Sequence, residues 1–274
     1  MSISHQAKKF SENAAMSYNV SVIPNDFNIT TIFSLINSGA ISMPVFQRNY
    51  VWDRKRASRF IESLILGLPV PQVFLYQRAL NKFLVVDGQQ RLLSVYYFIK
   101  QRFPLSEKRA ELRKIFDANN GIPDAVLSDD AYFQDFKLQF PKTEEGGKNP
   151  LEGLKYSTLG LSTVGLYDSF EYMTIRCMAI RQNDPNGDDS AVFEIFSRLN
   201  TGGVNLTNQE IRACLYYSDF YRMICRLNQN SIWRELFGKP EDCKFRDTDI
   251  ILRSFALLCD GERYNGSMNS FINR

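Results

Sequence analysis

The most constraining feature of the sequence is a junction within residues 82–99, where a β-rich run passes through Asp87-Gly88 directly into a helix. The run Lys82–Val86 is preceded by a similar run at Pro71–Tyr76, and the short polar connection between them predicts a hairpin. The apolar positions after the glycine recur at helical spacing: Leu92, Val95, Tyr96 and Ile99. A strand, a glycine turn and a helix in immediate succession predict an α+β domain.

Two amphipathic helices are predicted before this junction, at 26–39 and 54–66, with a short β-like stretch at 41–50 between them. Asn28 or Thr30 can cap the first helix, which Gly39 should end. After the junction, 107–116 and 190–199 have helical spacing, and 172–181 is typical of a strand that returns to the sheet.

The chain divides into three parts on this pattern. Residues 1–25 are expected to form a flexible N-terminal segment, 26–212 an α/β domain, and 213–274 a helical subdomain. Residues 119–160, rich in Asn, Gly, Asp and Pro, predict an insertion with long loops. The expected fold is therefore α+β, with a small mixed sheet and helices followed by a mostly helical C-terminal portion.

Composition excludes several kinds of chemistry. The sequence has a single histidine, His5, in a polar stretch at the N-terminus, so a catalytic zinc site or a histidine-based triad is not expected. The five cysteines include no C-x-x-C pair and are predicted to be reduced. No apolar run approaches the length of a membrane span, and no apolar segment follows Lys8 and Lys9, so we expect a cytoplasmic protein without membrane contact.

The net charge of +3 conceals a local asymmetry. Residues 48–59 hold five basic residues against one acid, whereas 117–152 hold eight acids against three lysines. A basic segment of this kind permits contact with a polyanion, although a charge run is more often only a solvated helix face.

The segment V-V-D-G-Q-Q-R-L-L at 85–93 has the residue types of a phosphate cradle. Gly88 permits the sharp turn, and the helix start behind it presents N–H groups and a positive dipole end to an anion. Gln89 and Gln90 add amide donors, and the Arg91 guanidinium matches phosphate oxygens. Asp87 can hold Mg²⁺ or orient a water molecule. The alternative is an ordinary Asp-Gly turn followed by an exposed first helical turn.

Two further segments contain candidate binding residues. In 44–52, Gln47 and Arg48 can reach phosphate or base edges, and Tyr50 and Trp52 can stack on a base, although core packing is the favoured alternative for the aromatic rings. The basic residues that follow are predicted to contact DNA phosphates: Arg54, Lys55, Arg56 and Arg59. In 193–206, Arg198 and Asn200 lie beside a glycine turn that also reads as a plain helix stop.

Four blocks carry a resemblance to a known family. They are I-S-M-P-V-F-Q-R-N-Y-V-W, F-I-E-S-L-I-L-G-L-P-V-P-Q-V-F-L, V-V-D-G-Q-Q-R-L-L-S-V and F-E-I-F-S-R-L-N-T-G-G-V-N-L-T-N-Q-E-I-R. In this order and spacing, from about 28 to 260, the chain resembles the N-terminal domain of the GmrSD-type restriction endonucleases.

The resemblance implies a ParB/sulfiredoxin-like fold and a nucleotide-binding, NTP-hydrolysing module of a bacterial anti-phage system. The family motifs fall on D-G-Q-Q-R at 87–91, F-Q-R at 46–48 and F-x-R-x-N at 196–200. Many relatives continue into a histidine-dependent nuclease domain, so we expect the nuclease to be supplied by a further part of the natural chain or by a partner.

The leading hypothesis is a module that hydrolyses a nucleoside triphosphate with Mg²⁺ and licenses the cleavage of modified foreign DNA. Asp87 would be a metal ligand or water-orienting base, Gln89 and Gln90 would contact the γ-phosphate and water, and Arg91 and Arg48 would neutralise phosphate charge. The nucleotide base remains open. The alternatives are a DNA sensor without NTPase activity and a scaffold that docks a nuclease subunit. A homo-oligomer is compatible with all three.

Overall fold

The computed structural model describes residues 19–43, 50–119, 121–141, 147–162, 165–184, 195, 198–199, 219–238 and 246–272. Three of the predicted binding residues lie outside these ranges: Gln47, Arg48 and Asn200. Residues 1–18 of the segment predicted to be flexible also lie outside them.

A five-stranded mixed sheet forms the centre of the domain. Its strands are β1 (Asn19–Asn28), β2 (Ile41–Ser42), β3 (Val73–Ala79), β4 (Lys82–Asp87) and β7 (Thr174–Asp184). They are arranged in the order β1-β7-β3-β4-β2, and a separate pair joins β5 (Arg102–Pro104) to β6 (Phe133–Asp135). The strand β3 pairs antiparallel with β4 and parallel with β7, so the sheet is mixed as predicted.

Helices surround the sheet and continue to the C-terminal side. They are α1 (Ile29–Asn37), α2 (Arg54–Ile65), α3 (Gln89–Ile99), α4 (Arg109–Asn119), α5 (Asp124–Leu127), α6 (Leu159–Ser162), α7 (Leu166–Tyr172), α8 (Asp219–Asn228), α9 (Ser231–Phe237), α10 (Arg246–Asp260) and α11 (Met268–Ile272). The described residues after 218 are mostly helical, which confirms the predicted class of this part. No helix in the described ranges is long and apolar enough to cross a membrane.

The predicted cap of the first helix is confirmed, and the second helix has a cap that was not predicted. Asn28 caps α1, where its side chain accepts a hydrogen bond from the Thr31 N–H at 2.8 Å. Asp53 caps α2 in the same way, with the Arg56 N–H at 2.7 Å. Each cap satisfies an N–H group that the helix itself leaves unused.

The core is centred on α3, which is buried on nearly every side. All residues from Leu92 to Phe98 in this helix are buried. The Phe98 ring packs edge-on against Phe136 and Phe170, with centroids 5.3 and 5.4 Å away. Because α3 begins at the end of β4, the predicted cradle is attached to a helix that is buried along most of its length.

The N-terminal expectation needs a correction. The strand β1 begins at Asn19, within the segment 1–25 that was predicted to be flexible, and α1 begins at residue 29 instead of 26. The strand is an edge strand with Val22 and Ile23 half-exposed, and it contains Pro24, so its sequence has little strand pattern. Its order comes from pairing with β7 about 150 residues later, which no local signal predicts.

The described parts of the region 119–160 also contain more regular structure than the predicted insertion with long loops. Its described parts contain α5 and β6, and β6 pairs with β5. Four of its side chains are completely or nearly completely buried: Phe133, Phe136, Leu138 and Leu159. Burial of these apolar groups fixes the connection against the core, although its Asn, Gly and Pro content is that of a loop.

Candidate functional site

The turn between β4 and α3 depends on Gly88. Its φ of 104° lies in the left-handed region, where side chains other than hydrogen are strained. An added Cβ would stand 2.8 Å from Cγ2 of Val73 and 3.2 Å from Nη2 of Arg91. The glycine therefore serves two purposes, because it provides the backbone conformation and lets the helix start lie directly against β3.

Asp87 and Arg91 form an ion pair across this turn. The Arg91 Nη2 donates to Asp87 Oδ2 at 2.7 Å and to the Gln72 carbonyl at 3.1 Å. The Asp87 side chain is 44% exposed and the Arg91 side chain 16%. The structure thus brings together two of the predicted catalytic residues, with part of the carboxylate still open to solvent.

Gln90 faces a different direction from Arg91. Its Oε1 accepts hydrogen bonds from the backbone N–H groups of Val51, at 2.8 Å, and Trp52, at 3.3 Å. These bonds hold the segment just before α2 against the start of α3. Gln90 thus has a structural contact through its side-chain oxygen, and its predicted contact with phosphate or water stays a prediction.

Gln89 is buried and lines a cavity between α3 and α4. Leu93 and Tyr97 line the same cavity, since residues four apart share one face of a helix. Met43 and Tyr50, the described residues on either side of segment 44–49, also line it. The three consecutive residues 89–91 are consequently directed to three different surroundings.

Two arginines of α4 complete the cavity wall and were missed by sequence reasoning. Arg109 and Arg113 lie one helical turn apart, and both line the cavity. The Arg109 Nη2 donates to the Trp52 carbonyl at 3.0 Å, and burial lowers the pKa of this guanidinium from its usual value. The sequence offers only an ordinary charged helix here, so no local signal distinguishes these residues from solvated ones.

The two aromatic residues predicted to stack on DNA are packed within the protein. Tyr50 is buried, donates to or accepts from the Ser94 hydroxyl at 2.8 Å, and meets the Tyr97 ring edge-on. Burial raises the pKa of the Tyr50 phenol well above its usual value, although the Ser94 hydrogen bond opposes the shift. Trp52 packs edge-on against Phe60. These contacts favour the core-packing alternative.

The basic residues of α2 are divided between two environments. Lys55, Arg56 and Arg59 are exposed on one side of the helix, opposite the buried Phe60 and Ile61. The guanidinium of Arg56 also lies over the Trp52 ring, 4.9 Å from its centroid. The fourth residue, Arg54, is only partly exposed and lies over the Phe103 ring. Three of the four cations thus form a continuous basic surface.

Of the two binding residues predicted beside the glycine turn at 200–203, the structure describes only Arg198. Its side chain is exposed, and Asn200 lies outside the described residues. Several large apolar side chains of the C-terminal helices are exposed: Phe220, Ile232, Leu236, Ile250 and Leu258. Exposed apolar groups are compatible with the alternative that the chain docks a nuclease subunit, and that alternative stays a prediction.

The side chains that could hold a metal ion do not form a cluster in the described part of the chain. Within the described ranges there is no group of three or more His, Cys, Asp or Glu side chains that could hold an ion. Mg²⁺ in nucleotide sites is commonly held by one or two carboxylates together with phosphate oxygens and water. The partly exposed Asp87 carboxylate fits that mode, and a cage built from protein ligands alone does not.

Comparison with known proteins adds two findings. The model of the family described as the GmrSD restriction endonuclease N-terminal domain matches residues 29–217, which is more than half of the chain. An uncharacterized protein of Methanocaldococcus jannaschii is 24% identical over 244 residues, covering 69% of this chain and 41% of the relative. The chain therefore spans about two fifths of that relative's length.

Proposed function

Because the chain belongs to the family of GmrSD restriction endonuclease N-terminal domains, we propose that it binds and hydrolyses a nucleoside triphosphate within a restriction system. In this role it licenses the cleavage of foreign DNA by a nuclease domain or partner supplied elsewhere. The observation that carries the proposal is the turn at Gly88. Its positive φ lets α3 begin directly after the end of β4, so that the polar residues 89–91 form the first turn of the helix.

Three properties of this turn support nucleotide binding. The first turn of a helix presents N–H groups and the positive end of a dipole, which together attract phosphate. Gly88 supplies no side-chain cap at this end. Asp87 and Arg91 bring a carboxylate and a guanidinium to the same point, as a phosphoryl transfer site requires for positioning and for charge neutralisation.

The metal would add one component to this arrangement. Mg²⁺ would neutralise the charge that develops on the phosphate oxygens, and Asp87 is the residue that would hold it. Arg91 orients the Asp87 carboxylate through the 2.7 Å contact. Gln90 fixes the adjoining segment 51–52, which limits the movement of the turn.

The test compares Asp87→Ala and Arg91→Ala with the unchanged protein. We expect the unchanged protein to release phosphate from at least one of ATP, GTP, CTP and UTP with Mg²⁺, and each variant to lose about 100-fold or more of that rate. The Asp87 side chain is partly exposed, so the pair should contribute only about 1 kcal/mol to the free energy of unfolding. The melting temperature therefore separates a lost reaction from a lost fold.

Asp130→Ala is the matched control for this test. Asp130 pairs with Arg102 at 2.7 Å, and the Arg102 side chain is 16% exposed, as that of Arg91 is. This control should keep the full rate of phosphate release. Equal rates in Asp87→Ala, Arg91→Ala and Asp130→Ala would refute the assignment of the turn as the hydrolytic site.

A second candidate function is favoured by the basic surface of α2. Lys55, Arg56 and Arg59 are exposed together, and within the described part of the chain no carboxylate lies within 4 Å of them. Such a surface suits the phosphate backbone of DNA. It is compatible with the nucleotide site, because the two occupy different elements.

Neutralising this surface should weaken DNA binding in a salt-dependent way. For the triple variant Lys55→Gln, Arg56→Gln and Arg59→Gln, we expect the slope of log affinity against log salt to fall by about 3, since each lost phosphate contact contributes about 0.9. A control triple variant of exposed cations elsewhere has the same charge change: Lys82→Gln, Lys137→Gln and Arg181→Gln. Identical slopes for both triples would reject the α2 surface as the DNA contact.

A further inference from the structure

The cavity between α3 and α4 has a wall that carries positive charge. Its empty space amounts to about 350 Å³ only when the adjoining open solvent is counted. Among the described residues that line it, two are arginines, Arg109 and Arg113, and none is an aspartate or glutamate. Cations placed at the edge of an apolar surface have the chemistry of a site for an anionic group.

Aromatic rings hold both guanidinium groups in place. Arg109 lies over the Tyr50 ring at 5.3 Å and over the Phe103 ring at 5.7 Å, measured to the ring centroids. Arg113 lies over the Phe116 ring at 5.9 Å, and its Nη2 is 3.5 Å from the Met43 carbonyl. Cations fixed in this way need little reordering when an anion binds, so less binding energy is lost.

The hydrogen-bonding capacity of Arg109 is used only in part. Its Nη2 donates to the Trp52 carbonyl, whereas its Nε is buried and has no hydrogen-bond partner in the part of the chain that the structure describes. No carboxylate of the described residues lies within 4 Å of this guanidinium. A partly buried guanidinium with an unused buried donor costs free energy, and a bound anion would offset that cost.

The other walls of the cavity are largely apolar. Leu93, Leu112 and Phe116 form an apolar surface, and this strengthens charge interactions by excluding water. The buried Gln89 side chain lies at the boundary between this cavity and the turn at Gly88. Gln89 is therefore the residue that the motif at the turn and the lining of the cavity have in common.

We propose that Arg109 and Arg113 bind the phosphate chain of the nucleotide whose hydrolysis is assigned above to the turn at Gly88. The inference rests on that proposed function and extends its site from α3 to α4. The two guanidiniums, one helical turn apart, contact neighbouring phosphoryl groups and neutralise their charge. Gln89 joins the two parts of the site, because it belongs to the motif at the turn and also lines the cavity.

The experiment measures nucleotide binding by isothermal titration calorimetry in Arg113→Gln and in Arg109→Lys. Arg113→Gln removes one charge and should weaken nucleotide binding about 10-fold or more, since a charge-assisted contact to phosphate is lost. Arg109→Lys keeps the charge but loses the fork geometry, so a smaller weakening is expected. A lysine also keeps a donor for the Trp52 carbonyl, so nucleotide binding can still be measured if position 109 is needed to hold Trp52 in place.

Arg176→Gln is the control for the change in net charge. Arg176 is an exposed residue of β7 that pairs with Asp26 and is not among the described residues that line the cavity. It should bind nucleotide as the unchanged protein does. The melting temperature of each variant is measured first, so that only folded protein enters the titration.

Inorganic tripolyphosphate separates failure of this inference from failure of the proposed function. If the unchanged protein binds a nucleotide and both arginine variants bind it equally well, the phosphate-binding role of Arg109 and Arg113 is overturned. If it binds tripolyphosphate but none of the four nucleotides, and Arg113→Gln loses that binding, the cavity assignment stands and the proposed function falls. If it binds none of these ligands, both are wrong.

Discussion

Replacing Gly88 with alanine is expected to lower the free energy of unfolding by about 2–4 kcal/mol and to abolish nucleotide binding. The first part of the loss comes from the φ of 104°, which an alanine adopts only with strain. The second part comes from the Cβ, which would meet the Val73 side chain at 2.8 Å. Relief of that contact moves the start of α3 away from β3, together with the residues that would bind phosphate.

Gly67→Ala separates the two causes. Gly67 also has a positive φ, of 69°, but nothing lies within 4 Å of a Cβ built there. Chemical denaturation should show a loss of about 1 kcal/mol for this control, which reports the backbone strain alone. Equal losses at Gly67 and Gly88 would contradict the close approach between the turn and β3.

A double-mutant cycle with Val73→Ala tests the same contact directly. Removal of the Val73 methyl groups takes away the atoms that an alanine at position 88 would meet. The two substitutions together should therefore cost less than the sum of their separate effects, by about 1 kcal/mol or more. Strict additivity would show that the Val73 side chain does not restrict position 88.

Asp247→Ala is expected to lower the free energy of unfolding by about 3–5 kcal/mol, because it leaves a partly buried guanidinium without its anion. Asp247 is completely buried in the first turn of α10, where its Oδ2 lies 2.9 Å from Nη1 of Arg234 and 3.0 Å from Nδ2 of Asn228. These contacts join α8, α9 and α10. Thermal and urea denaturation measure the loss.

Asp249→Ala is a closely matched control for this substitution. Asp249 lies two residues further along the first turn of α10 and pairs with Arg253 at 2.6 Å on the same helix. Both substitutions remove a carboxylate near the same helix N-terminus, so the dipole contribution is similar. The control should cost about 1 kcal/mol or less. A loss at Asp249 as large as that at Asp247 would show that the interhelical contacts add little.

The features that could be predicted from sequence depend on neighbours along the chain. The hairpin of β3 and β4, the turn at Gly88 and the cap at Asn28 follow from residue types within a few positions of one another. The strand β1 could not be predicted, because its partner β7 is about 150 residues away. The burial of Phe136 could not be predicted either, because its partner Phe98 lies in α3, which is distant along the chain.

The candidate site shows the same division. The motif at 87–91 was predicted as one cluster of catalytic side chains, yet the 100° rotation per helical residue directs Gln89, Gln90 and Arg91 toward three surroundings. Gln90 holds the chain at Val51 and Trp52, and Arg91 holds Asp87. Gln89 alone of these three lines the cavity.

The sequence by itself determined where the chain must turn, because only glycine tolerates the conformation at position 88 and because polar residues follow it at once. It also determined the family and the α+β class. Only the tertiary structure decided that Arg109 and Arg113 face Gln89 across a cavity. The reason is physical: a helix face acquires its partner through packing of apolar residues such as Leu93 and Leu112, and that packing joins segments which no local pattern relates.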